Sequence, residues 1–403
     1  MTEPAAPRNL TTTLLPFALI VFLGYSAIGI PLATLPVQVH AVLGYGATVV
    51  GVVIGLSAAI TLLTRQAAGA LSDRRGPKFA VLAGLVTTAL TGVAYVASLV
   101  LPQNWGLAAL AAGRMVLGLG DSLFTTGIMA WAVTRVGPQH AGKAMAWIGI
   151  AMYGALAVGA PVGAALGSVG GFAAVSIATG VMPVLAIPVA LALHGLPGAT
   201  QRRASFLGVV RAIWAPGLGM VLASAGFGTI AAFLALHYAA RGWPGAGLAL
   251  TGFGAAYILT RLLFAGLPDR LGGTRVALVS LSIEAAGLLL IALASQPLMA
   301  LLGAAVTGLG YSMVFPSLGV EAVRRVPAES RGVALGAFLA CFDLGLGAAG
   351  PAMGLVAGGF GLPAAFIAAA AAALLSIALI WVAGTAVAGP ERGHLRLNRI
   401  RSS

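Results

Sequence analysis

Charged residues are scarce in this sequence of 403 amino acids, where Asp, Glu, Lys and Arg make up 8% and hydrophobic residues 60%. A soluble globular domain carries about 25% charged residues, so this composition excludes an ordinary soluble protein. The hydrophobic segments run for about 20 residues, the length that crosses a bilayer as a helix, without the alternation of a barrel strand. The sequence therefore predicts an all-α membrane protein in contact with the lipid bilayer.

Several chemical motifs are also missing. Cys341 is the single cysteine, so the chain has neither an internal disulfide nor a thiolate metal cluster. It has no Gly-x-x-x-x-Gly-Lys-Ser/Thr loop, which argues against transport driven by ATP. Because no metal-ligand cluster or clustered nucleophile and base stands out, we predict no cofactor, no metal and no enzyme activity. A membrane-embedded enzyme stays open as an alternative.

Hydropathy predicts twelve spans, and the loops between them differ in charge. The spans are placed at 14–36, 46–68, 79–101, 105–131, 143–167, 171–193, 212–238, 246–266, 275–295, 298–320, 332–356 and 362–384. Of the 22 Lys and Arg residues, 18 lie in the terminal segments, the central linker and the loops after spans 2, 4, 8 and 10. The positive-inside rule then places both termini in the cytoplasm, as in a multi-pass protein of a bacterial inner membrane. Since the basic residues are scattered, no nucleic-acid partner is expected.

An internal duplication divides the chain. The segment LTRQAAGALSDRRGPK at 63–78 matches LTRLLFAGLPDRLGGT at 259–274 with an offset of 196, and GLGDSLF at 118–124 matches GLGYSMV at 308–314 with an offset of 190. Both halves start on the same side, so we predict two six-helix bundles related by a pseudo-two-fold axis along the membrane normal. The predicted domains are a bundle at 1–193, a cytoplasmic linker at 194–211, a bundle at 212–386 and a basic cytoplasmic tail at 387–403. The protein is expected to be a monomer.

One loop in this pattern resembles a known signature. GALSDRRGPK resembles the Gly-x-Leu-x-Asp-Arg-x-Gly-x-Lys loop of the major facilitator superfamily, although Pro77 stands where a basic residue is common. ASAGFGTIAAFLALHY and GLGYSMVFPSLGVEAV resemble the bacterial branch labelled arabinose-efflux permeases. The resemblance implies the two-bundle fold of that superfamily and transport by alternating access. It does not specify the substrate.

The resemblance also implies a latch that joins the two bundles on the cytoplasmic side in one conformational state. The predicted latch consists of the signature residues and their counterparts in the second half, namely Gly69, Asp73, Arg74, Gly76, Lys78, Arg135, Asp269, Arg270 and Arg325. The carboxylates of Asp73 and Asp269 are expected to pair with Arg135 or Arg325. The alternative is that these are solvated charges of positive-inside loops.

Four charged residues lie well inside predicted spans: Arg114, Asp121, Glu284 and Asp343. A charge in hydrocarbon costs roughly 2.5–3.5 kcal/mol on insertion scales, so a functional placement facing the interior is the default expectation. We predict that Arg114, Asp121 and Asp343 converge between the bundles as the substrate and proton-coupling site, with Asp343 as the proton carrier. Arg114 has an alternative role, which is to bind backbone carbonyls and brace its bundle.

Two acidic residues are expected to be structural. Glu284 lies on span 9, which is peripheral in the fold that the resemblance implies, and we expect it to hydrogen-bond to a neighbouring helix. Glu321 is expected to pair with one of four arginines, Arg65, Arg261, Arg324 or Arg325.

A pocket and a packing motif complete the predicted site. The possible pocket residues are Tyr25, Gln38, Phe124, Tyr153, Tyr257 and Tyr311, each of which has packing or an interfacial position as an alternative role. YGALAVGAPVG resembles a Gly-Pro motif of exporters, although Ala160 replaces the Gly before Pro161, and AAGPAMG preserves that pair better as Gly350-Pro351. The predicted helix-packing residues are therefore Gly159, Pro161, Gly350 and Pro351. Small residues let helices approach closely.

These observations predict a proton-coupled antiporter that exports a small organic solute by alternating access. The alternatives are an uptake symporter or uniporter of a small polar solute, and a transporter-like sensor that moves no solute. The expected partners are a small-molecule substrate and protons.

Overall fold

The computed structural model describes residues 10–137, 140–197, 206–327 and 330–400, and every regular element in these ranges is a helix. The long helices are α1 (Leu10–Gly29), α2 (Ala47–Arg75), α3 (Pro77–Val100), α4 (Gln103–Val136), α5 and α6 (together Ala141–Ala192), α7 (Trp214–Ala240), α8 (Ala246–Phe264), α9 (Gly273–Ala292), α10 (Pro297–Arg324), α11 (Arg331–Phe360) and α12 (Leu362–Ile400). Residues 198–205 of the predicted linker and 401–403 of the predicted tail lie outside the described residues.

Twelve spans are present, because the helical stretch Ala141–Ala192 consists of two helices. Eleven helices in the described ranges are long and apolar enough to cross a membrane, and this one has 52 residues. At 1.5 Å per residue it would extend about 78 Å, far beyond a hydrocarbon core of about 30 Å. Gly171 breaks it with φ 63° and ψ −165°, so α5 ends and α6 begins there. The predicted fold class and span count are confirmed.

The backbone conformation of the signature loop requires a glycine at Gly76. Gly76 ends α2 with φ 90°, and its counterpart Gly272 adopts φ 89° before α9 begins. These values lie in a region that side chains with a Cβ rarely adopt. The duplicated glycine therefore lets one helix stop and the next start within a few residues in each half.

The first span departs from a regular helix at its far end. After α1 the chain passes through a 3-10 segment at Ile30–Ala33, a short α-turn at Leu35–Val37 and a π-turn at Gln38–Val42. Pro31 and Pro36 interrupt the helical hydrogen bonding in this stretch. The predicted span at 14–36 therefore includes a segment that is only partly α-helical.

Two seams join the half containing α1–α6 to the half containing α7–α12. In the first seam α2 crosses α11, where Gly51 lies against the backbone of Gly350 and Gly55 lies against Pro351. The Thr48 hydroxyl donates to a carbonyl oxygen of α11, that of Gly354, at 3.1 Å. Because a Cβ at Gly51 would collide with the Gly350 carbonyl, the small residues are what allow this contact.

The second seam repeats the first with the roles of the halves exchanged. Here α8 crosses α5, with Gly247 against Pro161 and Gly254 against Ala157. The Thr251 hydroxyl donates to the Ala157 carbonyl at 2.8 Å. The offsets of the duplication relate Gly51 to Gly247, so the two crossings are equivalent. Of the predicted packing residues, Pro161, Gly350 and Pro351 lie at the seams, whereas Gly159 packs against Gly29 and Ile30 within its own half.

Candidate functional site

A cavity of about 150 Å³ lies between the two halves. Its lining comes from both halves and includes Tyr25, Ser57, Thr61, Arg65, Arg114, Asp121, Thr125, Tyr153, Phe227, Phe342 and Asp343. One water needs roughly 10–15 Å³ by this kind of measure, so the space holds several waters or a small polar group. All three predicted coupling residues, Arg114, Asp121 and Asp343, line it.

An ion pair crosses this cavity and connects the halves. The Arg65 Nε of α2 donates to Asp343 Oδ2 of α11 at 2.6 Å. The two side chains are 17% and 5% exposed. Arg65 lies ten residues before the end of α2 and Asp343 twelve residues after the start of α11, which places both about 15–18 Å inside those ends. Sequence reasoning missed this pairing and considered Arg65 only as a partner of Glu321.

Asp121 lies beside this pair at the end of a hydrogen-bond chain. The Thr125 hydroxyl lies 2.7 Å from Asp121 Oδ1, and the Tyr25 hydroxyl lies 3.0 Å from that of Thr125. Asp121 is also in electrostatic contact with Arg65. With Asp121 ionised, its carboxylate accepts from Thr125, so the single Thr125 proton is used and Tyr25 donates to Thr125. These hydrogen bonds therefore link the Asp121 carboxylate of α4 to the Tyr25 hydroxyl of α1.

Arg114 has the bracing geometry that was one of its two predicted roles. Its Nη2 donates to the Ile54 carbonyl at 2.7 Å and to the Ser57 hydroxyl at 2.5 Å, and its Nε donates to the Val53 carbonyl at 3.3 Å. These three partners lie on α2, so Arg114 ties α4 to α2 beneath the first seam. Its guanidinium forms no ion pair with the described residues.

Aromatic side chains form the opposite wall. Tyr153 of α5 and Tyr257 of α8 stack with ring centroids 3.5 Å apart, and Phe227 stacks against both Phe253 and Tyr311. Tyr153 and Phe227 line the cavity, and the other three rings pack behind them. Tyr25 lines the cavity as predicted. Tyr257 and Tyr311 support the wall from the second row.

Two predicted pocket residues lie elsewhere. Gln38 belongs to the π-turn beyond α1 and lines a separate depression with Leu43 and Gln103 at the end of the bundle. Phe124 is buried inside the first half, where its ring packs near Gly24 and Tyr25. The prediction that both residues face the central cavity is wrong. Gln38 was misplaced because the chain leaves α1 at Ile30, and Phe124 because its face of α4 points to α1 and α3.

The two remaining acidic residues differ in their surroundings. Glu284 is fully buried between α9, α10 and α7, and neither carboxyl oxygen has a hydrogen-bond partner among the described residues. The predicted hydrogen bond of Glu284 to a neighbouring helix is therefore wrong. Glu321 accepts from the Thr274 N–H at 3.1 Å and lies 3.9 Å from Arg324. Arg324 was one of its four predicted partners.

The predicted latch is not engaged in this conformation. Asp73, Arg135 and Asp269 are exposed, and none of them joins an ion pair within the described residues. Arg74 and Arg270 are exposed as well, and Gly69 has open space around it. Lys78 instead donates to the carbonyls of Leu191 and Leu193 at 2.8 and 2.6 Å, at the end of α6. Closure on this face, including any contact of Arg325, stays a prediction for another conformation.

The contacts between the halves are distributed unevenly along the helices. Their hydrogen bonds, from Thr48, Thr251 and Arg65, lie at the seams or at the cavity. The loops after α2, α4, α8 and α10 lie on one face of the protein, which we call the basic face. These three hydrogen bonds join the halves at the cavity and on the side away from the basic face. Two repeated bundles with a cavity between them that contains charged side chains define the architecture of a secondary transporter.

Comparisons with known proteins identify the family. The profile described as Major Facilitator Superfamily matches residues 17–244 and 217–397, and thus both halves. An uncharacterized MFS-type transporter of Burkholderia mallei is 44% identical over 380 residues, covering 93% of each chain. One of Pseudomonas aeruginosa is 44% identical over 380 residues, covering 94% of each. The chain belongs to the major facilitator superfamily.

Solved structures agree on the fold. The crystal structure of nucleoside transporter NupG is similar with a TM-score of 0.76 and 16% identity, covering 92% of this chain and 99% of that one. The human organic anion transporter MFSD10 is similar with a TM-score of 0.65 and 16% identity, covering 94% and 100%. The family predicted from the signature loop is confirmed, and the protein is a multi-pass membrane transporter. The names of these relatives specify no arabinose-efflux branch, so that assignment stays a prediction.

Proposed function

We propose that the protein is a proton-coupled antiporter of the bacterial inner membrane, which exports a small organic solute by alternating access. The observation that supports this most strongly is the Arg65–Asp343 ion pair, since it links the two halves inside the cavity at 2.6 Å. A carboxylate in an ion pair between the two halves couples proton binding to conformational change, because protonation removes the negative charge on which the ion pair depends. Asp343 is the proposed proton carrier.

The coupling follows from differential binding. With Asp343 ionised, the ion pair favours the conformation in which α2 and α11 approach each other. A proton binds more tightly to the conformation in which Asp343 has left Arg65, and by linkage it shifts the population toward that conformation. Asp121, in electrostatic contact with Arg65, provides a second carboxylate from the other half. Arg65 can turn to Asp121 when Asp343 is protonated, so its charge stays compensated.

Topology and direction are further parts of the proposal. The excess of Lys and Arg in the loops of the basic face supports a cytoplasmic position for that face and for both termini. We propose that the cavity opens to the cytoplasm in this conformation, because the hydrogen bonds between the halves lie at the cavity or on the opposite side. An exporter requires such an opening when it collects its solute. The Gly-Pro segments at the seams, including Pro161 and Pro351, are consistent with the exporter-like motif on α5.

The test is flux in proteoliposomes with an imposed pH gradient, screened over sugars, drugs and metallophores. We expect one class of solute to move against the proton flow, and Asp343→Asn to abolish the coupled flux while size-exclusion behaviour stays normal. Glu284→Gln is the matched control, because it also converts a buried acid to an amide but lies away from the cavity. Solute movement in the same direction as protons would indicate symport. Unchanged coupled flux in Asp343→Asn would refute the assignment of the carrier.

A further inference from the structure

Because the two halves are duplicated, the residues of the ion pair in the first seam can be compared with their equivalents in the second seam. The offset of 196 relates Arg65 of α2 to Arg261 of α8, and the offset of 190 relates Asp343 of α11 to Tyr153 of α5. In the first seam the arginine meets an acid. In the second seam the equivalent position carries Tyr153, so Arg261 has no counterpart of the acid that pairs with Arg65.

The contacts of Arg261 agree with this comparison. Its Nη2 donates to the Tyr257 hydroxyl at 2.6 Å, and its guanidinium carbon lies 5.3 Å from the Tyr257 ring centroid. Its Nε is buried without a hydrogen-bond partner, and no acidic side chain pairs with Arg261 among the described residues. A guanidinium keeps its charge in a protein. The second seam therefore holds a positive charge that the described side chains leave uncompensated.

The surroundings of Arg261 suit a flat ligand. The guanidinium packs against the ring of Tyr257, which stacks on Tyr153 with the ring planes 20° apart. Tyr153 lines the cavity, whereas Tyr257 and Arg261 lie outside its lining, so a ligand in the cavity reaches Arg261 once the Tyr153 ring moves aside. Phe227 extends the same wall and lies 6.0 Å from Tyr153 between ring centroids. Aromatic faces bind planar rings by offset stacking, and a guanidinium binds a carboxylate through two parallel hydrogen bonds. The combination is complementary to a planar ring that bears an acidic group.

We propose that Arg261, together with Tyr153 and Tyr257, binds the anionic group of a planar organic acid, and that such an acid is the transported solute. This inference rests on the proposed function, because it assigns the substrate class of the same cavity. The carboxylate of the solute acts as the counter-ion of Arg261, as Asp343 does for Arg65 in the first seam. Loading the solute then completes the second ion pair, so both seams are neutral when the transporter is occupied.

Binding to the purified full-length protein tests this assignment. Isothermal titration calorimetry compares benzoate, indole-3-acetate and naphthoate with their neutral amides, each up to millimolar concentration. We expect at least one acid to bind and its amide to bind at least tenfold more weakly, since a charge-assisted bond contributes about 1.5–3 kcal/mol. Arg261→Gln is expected to weaken acid binding roughly 10- to 100-fold, and Arg261→Lys to weaken it less.

The control is Arg241→Gln, because Arg241 is an arginine of the same half whose guanidinium donates to the Ala294 carbonyl at the far end of α7. It should bind the acid as the unmodified protein does. The inference is overturned if acids and amides bind equally, if no acid binds, or if a folded Arg261→Gln variant binds the acid normally. Binding needs no pH gradient, so acid binding without proton-driven flux would refute the proposed antiport alone. Proton-driven flux of a neutral solute would refute this inference alone.

Discussion

Removing either partner of the Arg65–Asp343 pair should destabilise the protein, and the two removals should not be equivalent. Asp343→Asn leaves a guanidinium that is 17% exposed and cannot give up its proton. Breaking a buried pair in this way costs about 3–5 kcal/mol. Because Arg65 keeps some access to water and can turn to Asp121, we expect the lower end, about 3 kcal/mol. Arg65→Gln leaves Asp343, which can accept a proton and become neutral.

The assay is a double-mutant cycle on the purified protein, with the apparent free energy of unfolding taken from titration with SDS. We expect the two single changes to couple by about 2 kcal/mol, because the double variant leaves no unpaired charge. Both costs should shrink as the pH falls, since Asp343 of the unmodified protein then becomes neutral and the ion pair is lost there as well. Additivity within about 0.5 kcal/mol, at every pH tested, would show that the pair does not hold the halves together.

Three further variants test the packing around the cavity. Gly51→Ala places a methyl group against the Gly350 carbonyl and should open the first seam at a cost of about 1–3 kcal/mol. The opening would be measured as faster maleimide labelling of a cysteine introduced at Thr48. Gly69→Ala is the control, because Gly69 on the same helix has open space around it and its substitution should not change the labelling rate. Arg114→Lys cannot span its three partners on α2 and should lower the unfolding free energy by about 2 kcal/mol; an unchanged value would contradict the bracing role. Glu284→Gln should change it by less than about 1 kcal/mol, because an unpaired acid in that site is accommodated in its neutral form; a large loss would mean that the site holds a carboxylate.

Most of the fold could be predicted from the sequence because the signals are local or repeated. Span lengths follow from hydrophobic runs that match the bilayer thickness. The repeated Gly76 and Gly272 both carry the positive φ that ends a helix. The break at Gly171, between predicted spans that end at 167 and begin at 171, was also found. Local patterns thus fixed where each helix lies along the chain.

The partners of the buried charges were harder to predict, because they depend on how each helix is rotated about its axis. Asp343 was correctly placed in the cavity, yet its partner Arg65 is 278 residues away in sequence and was assigned to another acid. The same uncertainty misplaced Phe124, which faces α1 and α3. Glu284 lacks the hydrogen bond that its burial suggested. The match between Arg65 and Arg261 could be read from the sequence. That Tyr153 stands at the position equivalent to Asp343 could be interpreted only from the structure, in which α5 and α11 occupy equivalent seams.

Alternating access requires the seam between α2 and α11 to separate during each transport cycle. A Cβ built at Gly358 lies 3.0 Å from the Thr48 hydroxyl oxygen, which suits a disulfide between cysteines at these positions. In a background with Cys341→Ser, the pair Thr48→Cys and Gly358→Cys should therefore cross-link under oxidation. We predict that solute flux stops on cross-linking and returns on reduction, while each single variant stays active. Undiminished flux through the fully cross-linked protein would contradict transport by separation of the two halves.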